Sequence, residues 1–229
     1  MRLGQNILLD KHIIERIIKS AELDKDDIVF EIGSGTGILT RELCERAGYV
    51  ISCEIDKKMY QEARSLSYNN LELYNVDGYR YAYIVNFDKF VSNIPYYKSR
   101  DTIELLAKKE FELAVIMVQK DFFEKILYEN KAISFIARHC FTIEHIIDVS
   151  RDAFKPIPHV DSALIRLRKR NTLTDDEIKT IKLLYSFKGR KIKHASHMLV
   201  IDHTISDKRV EELNEEEIIS ILHLNTSNN

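Results

Sequence analysis

The chain has 229 residues, 45% apolar and 31% charged, which supports a packed core and excludes a disordered or collagen-like polymer. Its net charge is −2, so overall charge announces no nucleic-acid partner and any basic surface has to be local. Three cysteines, Cys44, Cys53 and Cys140, lack the spacing of a disulfide framework or zinc site, and no apolar run approaches the ~20 residues of a membrane span. The opening "MRLGQNILLD" is not a signal peptide. These features lead us to expect a cytoplasmic protein with no metal and no membrane contact.

The first element is a helix over 10–23, where Ile13, Ile14, Ile17, Ile18 and Ala21 recur at helical spacing behind Asp10 as a cap. "DIVFEIG" (27–33) is a short apolar strand that stops at glycine. A helix over 38–47 and a strand over 49–56 follow, the strand ending in two acids. A polar helix spans 57–67, "LELYNVDG" (71–78) is a third strand, and "FDKFVSNI" (87–94) is a fourth. A helix over 100–109, a strand over 111–118 and a helix over 119–128 continue the alternation. Such alternation predicts βαβ units and a parallel sheet, with ligands at the carboxyl ends of its strands.

Near residue 140 the pattern changes. Two strands, 142–150 and 161–170, flank "RDAFKPIPHV". Beyond about residue 171 the spacing is helical: 174–187 with Thr174 as cap, 190–199, and 214–222. The boundary near 170 separates an expected domain over 1–170 from a small helical domain over 171–229, whose last residues, "NTSNN", are expected to fray.

"EIGSGTG" joins the first predicted strand to the next helix. Gly33, Gly35 and Gly37 permit a sharp turn and close approach of a ligand to main-chain N–H groups. The spacing is G-x-G-x-G after Glu31, not the G-x-G-x-x-G of dinucleotide enzymes. It resembles motif I of S-adenosylmethionine-dependent methyltransferases. Glu54 ends the second strand, where a carboxylate can accept both ribose hydroxyls of an adenosine. Asp77 ends the third strand and is placed to bond the adenine amino group, although Asp-Gly is also a common turn pair.

The fourth strand runs into "NIPY". The exocyclic amine of adenine is a poor nucleophile because its lone pair is delocalised into the ring. Two acceptors aimed at its hydrogens favour the pyramidal geometry that attack on a methyl sulfonium requires. Asn93 offers a side-chain oxygen and Ile94 a backbone carbonyl. Pro95 biases Ile94 towards an extended conformation, and Tyr96 presents a flat face for a flipped-out base.

Together, "GQNILLD", "EIGSGTGILT" with "EID", "NIPY" and "AFKPIPHVDSALIRL" resemble, in order, the motifs of the rRNA adenine N6,N6-dimethyltransferases. The resemblance runs from Gly4 to about Leu167. It implies an α/β, Rossmann-like methyltransferase domain with a small C-terminal helical domain, and S-adenosyl-L-methionine as cofactor. It implies catalytic roles for Asn93, Ile94, Pro95, Tyr96 and Phe154, with Phe154 facing Tyr96 across the target adenine. Cofactor contacts are implied for Asn6, Leu8, Gly33, Gly35, Glu54, Ile55, Asp77, Gly78 and Asn93. The implied partner is ribosomal RNA in an assembling small ribosomal subunit, met by a monomer.

The tail "LLYSFKGRKIKHASHML" resembles the small-subunit branch, although Gly189 stands where that branch carries an arginine. Lys188, Arg190, Lys191 and Lys193 form a basic cluster suited to RNA phosphates, and Arg166, Arg168, Lys169 and Arg170 form a second. The competing readings are a large-subunit rRNA methylase of the antibiotic-resistance type and a non-catalytic assembly factor on the same fold. A NAD-dependent dehydrogenase is disfavoured by the glycine spacing.

Overall fold

The computed structural model describes residues 6–226; Gly4 and Gln5 of the first motif, and the last residues of the expected fraying end, lie outside that range. Seven strands form one sheet in the order β4 (Leu71–Tyr74), β3 (Tyr49–Cys53), β2 (Ile28–Ile32), β5 (Lys89–Ser92), β6 (Leu113–Gln119), β9 (Ser162–Lys169) and β7 (Phe141–Val149). The first five are parallel. β9 is antiparallel to both neighbours, so the sheet is mixed where a parallel one was expected.

The strands read as apolar runs because both faces of the sheet are covered. Val29, Val50, Val91, Val115 and Leu164 face one cluster, with Ile17 and Ile18 of α1 (Lys11–Ala21) and Leu43 of α2 (Ile38–Arg46). Phe30, Phe90, Ile116 and Ile165 face the other cluster, where they meet α5 (Ser99–Ala107), α6 (Lys120–Tyr128) and α7 (Ala132–Cys140). The Asp10 cap forms as expected, its carboxylate accepting the N–H groups of His12 and Ile13. No helix among the described residues is long and apolar enough to cross a membrane.

Departures from expectation include two helical stretches. α7 was not anticipated, although Ile133, Ile136, Ala137 and Cys140 carry the i, i+3, i+4, i+7 signature and are all buried. The expected helix over 190–199 is instead a single 3₁₀ turn, Ile192–Ala195, followed by open turns. Its apolar spacing is real, since Ile192, Ala195 and Leu199 are buried. Its first N–H groups, however, bond away from a helix: Ile192 donates to the carbonyl of Lys208 and Lys193 to that of Ser206. Gly189, just before this turn, has φ +83°, a left-handed backbone that an arginine there would adopt only under strain.

The tail helices α8 (Asp175–Ser186) and α9 (Glu215–Thr226) share the second core cluster, through Ile178, Ile181, Leu184, Ile218 and Ile221. Thr174 and Glu177 form the capping box of α8. Leu173 N–H donates to Ala107 O, and Lys182 pairs with Glu104 of α5.

Candidate active site

The chain builds β2, β3 and β4 outward in one direction, then crosses to β5 and β6 on the other side. The reversal falls between β2 and β5. Beyond the carboxyl ends of these two strands lies a cavity whose lining includes the glycine loop, Glu54, Asp77 and the whole Asn93–Tyr96 stretch. Ser92 Oγ donates to Ile32 O at 2.6 Å, tying the two strand ends together under the loops they carry.

The glycine loop turns through φ +87° at Gly33 and +55° at Gly35, and a Cβ at either position would meet only open space. Gly33 N–H donates to Cys53 O at 2.7 Å. Below the loop, Glu31 Oε2 accepts the hydroxyls of Thr40 and Ser52, each at 2.6 Å. Burial pushes the Glu31 carboxyl up to about 7, against the pull of those two hydroxyls. Ser34 Oγ is buried in the cavity wall without a hydrogen-bond partner.

Glu54 is buried at the end of β3. Its Oε2 accepts the Gly35 N–H at 2.9 Å and its Oε1 the Asp56 N–H at 2.7 Å. Burial raises its pKa, and these two N–H groups hold the rise back. Each oxygen keeps a further lone pair for a ligand. Asp77 caps the short helix α4 (Gly78–Tyr81), with Oδ1 accepting Tyr79 N–H at 2.9 Å. The turn role that Asp-Gly suggested and a place on the cavity wall therefore coexist.

Asn93 Nδ2 donates to Asn6 O at 3.1 Å. With the nitrogen committed to the N-terminal segment, Oδ1 remains as the acceptor of a side chain that lines the cavity. That segment is pinned in turn: β1 (Ile7–Leu8) pairs antiparallel with β8 (Phe154–Lys155), and Leu9 N–H donates to Ala153 O at 3.0 Å. Pro95 is extended at φ −60°, ψ 135° and starts a single 3₁₀ turn, Tyr96–Lys98.

A model for "Ribosomal RNA adenine dimethylase" matches residues 1–219 of the chain. The protein belongs to the ribosomal RNA adenine dimethylase family. The sequence is 35% identical to the "Probable ribosomal RNA small subunit methyltransferase A" of Thermococcus gammatolerans, over 96% of this chain and 86% of the relative. The fold superposes on a dimethyladenosine transferase from Plasmodium falciparum with a TM-score of 0.82 at 27% identity, covering 97% of this chain and 98% of the other. The 23S rRNA methyltransferase ErmE gives a TM-score of 0.70, also at 27% identity, over 96% of this chain and all of the other.

The cavity gathers Asn6, Leu8, Gly33, Gly35, Glu54, Ile55, Asp77, Gly78, Asn93, Ile94, Pro95 and Tyr96 of the expected dimethylase site. Phe154 is placed differently. It is buried beside Leu8 in the core, outside the cavity lining, and meets Tyr96 edge-on with ring centroids 6.5 Å apart and planes at 78°. A base does not fit between rings so arranged, so the two-sided stack is not formed in this conformation. Residues singled out by structure alone include Ser34, Tyr79 and Lys98. The Lys98 ammonium lies 5.0 Å from the Tyr79 ring centroid and donates to Asp101 at 2.6 Å.

The basic clusters also need revision. Arg166 and Arg168 are paired with Glu22 and Glu144. Lys169 donates to the carbonyls of Leu106 and Ala107, and burial lowers its pKa to about 8. Arg168 pairs with Leu113, the first residue of β6, which puts this cluster at the end of the sheet opposite the cavity. Arg166, Arg168 and Lys169 thus form a structural network, and Arg170 alone of this cluster stays exposed without an acid partner among the described residues. In the tail cluster Lys191 and Lys193 share Asp207, at 3.1 and 2.7 Å, and Lys188 donates to Asn130 O at 2.7 Å. All four residues, Arg190 included, are exposed.

Proposed function

We propose that the protein dimethylates adenine N6 in small-subunit ribosomal RNA, with S-adenosyl-L-methionine as methyl donor, during ribosome assembly. The Asn93 amide carries this reading: its nitrogen is held by Asn6 O, which leaves its oxygen as a fixed acceptor at the cavity wall.

The residues present suit the cofactor. Open space over Gly33 and Gly35 gives a cradle that side chains would fill, and the buried, unpartnered Ser34 hydroxyl awaits a polar group. Glu54 is assigned the ribose hydroxyls and Asp77 the adenine amine. Asn6, Leu8, Ile55 and Gly78 complete the contact. When bound, S-adenosyl-L-methionine supplies an electrophilic methyl group on a positively charged sulfur.

The chain's own part is to present the acceptor base. Tyr96 offers a stacking face. Asn93 Oδ1 and the Ile94 carbonyl accept the two N6 hydrogens, drawing the amine out of conjugation in the transition state. Asn is no base at neutral pH, so the surplus proton leaves N6 for water once that nitrogen is charged.

The same reading divides the chain near residue 170, giving 171–229 an RNA-binding role through Lys188, Arg190, Lys191 and Lys193. It places a monomer in the cytoplasm. The small-subunit branch is supported by the name of the Thermococcus relative. The test is transfer of radiolabelled methyl groups to immature small and large subunits, followed by mapping of the modified base. Label confined to small-subunit adenines is expected; label on large subunits would move the protein to the other branch. Asn93→Ala should abolish transfer while calorimetry still registers cofactor binding within about threefold of wild type. Retained turnover in that variant would remove Asn93 from its role.

A further inference from the structure

Tyr96 is held at its tip as well as its root. Its hydroxyl shares a 2.6 Å hydrogen bond with Ser162 Oγ. Its carbonyl accepts Ser99 Oγ at 2.8 Å, and Pro95 fixes the backbone before it. Ser162 is completely buried and is the first residue of β9, paired with Gln119 on one side and Val149 on the other. An anchor locked between two strands cannot follow the tyrosine if its side chain swings to another χ1 rotamer. Phe154 lies edge-on to the same ring and leaves only Tyr96 on the cavity wall.

We propose that Ser162 is a positioning residue for the methyl-transfer reaction: it pins the tip of Tyr96, and so its side-chain rotamer, before RNA arrives, so that the target adenine docks on a pre-positioned wall. Phe154 then acts as an edge-on brace that keeps the ring from swinging away. The inference rests on the adenine-methylation reading above. It assigns work to the serine in "HVDSALIRL", which touches no reacting atom. A stacking wall that is already in place spares the bound complex the ordering of a free ring, and a transferred methyl tolerates little misplacement of N6.

The experiment compares wild type, Ser162→Ala, Tyr96→Phe and the double variant in single-turnover methyl transfer to small-subunit RNA. A tyrosine-ring NMR measurement on the RNA-free protein runs alongside. Each single variant is expected to slow transfer about tenfold, and the double variant no further, because both remove one hydrogen bond. Cofactor affinity should stay within about twofold of wild type. In the NMR arm the Tyr96 ring should pass from one fixed χ1 rotamer in wild type to averaging over rotamers in Ser162→Ala.

Losses that multiply in the double variant overturn the proposal. So does a change confined to melting temperature, or an unaltered Tyr96 ring in Ser162→Ala. Wild-type protein that transfers no methyl to RNA overturns the proposed function instead, and the NMR arm still decides whether Ser162 holds the ring.

Discussion

Glu31 illustrates what burial does to a single carboxyl. It is 1% exposed, and its folded pKa is raised from 4.5 to about 7. A raised folded pKa means that the native state binds this proton more tightly than the unfolded chain does. The resulting stabilisation is complete below about pH 4.5 and is lost as pH rises through about 7. Glu31→Gln keeps the shape and removes the titration. Its melting temperature relative to wild type should therefore climb between pH 4.5 and 7 and level off above; a difference that stays flat across that window contradicts the assignment. Glu54 makes a different case, since both its oxygens are fixed by backbone N–H groups before any ligand arrives. Glu54→Ala should weaken cofactor binding by about 1.5–3 kcal/mol, the range of a hydrogen bond to a charged group, as read by calorimetry. Cys44, Cys53 and Cys140 are all buried, and burial raises each thiol to about 12. In the native protein all three should resist alkylating reagents at neutral pH, and modification should appear only in denaturant.

Local pattern made most secondary elements legible. α1, the parallel strands and α8 combine strong periodicity with visible caps or glycine stops, and local signals determine them. The misread stretches are those where partners decide the outcome. Residues 190–199 carry helical spacing, but the carbonyls of Lys208 and Ser206 capture the first donors, and no local signal reveals so distant a competitor. The direction of β9 was equally hidden, because a buried run such as "SALIRL" reads alike in parallel and antiparallel sheets. α7 is the opposite case: its spacing is present in the sequence, but the helix runs directly into β7 with no glycine or proline between them to mark its end. Ile136, fully buried on this helix, provides a check. Ile136→Ala should cost about 2–5 kcal/mol in denaturant unfolding, and a cost under about 1 would mean that α7 is not part of the core. At the site, the residues that the motifs named, Phe154 excepted, come together around one cavity. They could not give the edge-on angle of Phe154, which depends on how β1 and β8 pack.

With the molecule seen entire, its two basic clusters serve different ends. Arg166 and Arg168 of the β9 cluster are spent internally on Glu22 and Glu144, whereas the four cations of the tail cluster are all exposed. Within the tail, Lys191 and Lys193 already share an acid while Arg190 points its charge into solvent. Arg190→Glu should therefore weaken RNA binding more than Lys191→Glu does. It should also lower the slope of log affinity against log salt by about 1–2 units and leave cofactor affinity alone; filter binding over a salt series measures all three. The antiparallel course of β9 has a further consequence in time. Because the strand made last in the sheet is threaded between β6 and β7, the anchor of Tyr96 comes from a part of the polypeptide synthesised some way behind the cofactor cradle. A nascent chain that has emerged only as far as β6 owns the groups assigned to the methyl donor but no fixed surface for a base. Competence to modify a ribosome thus comes late in the enzyme's own translation.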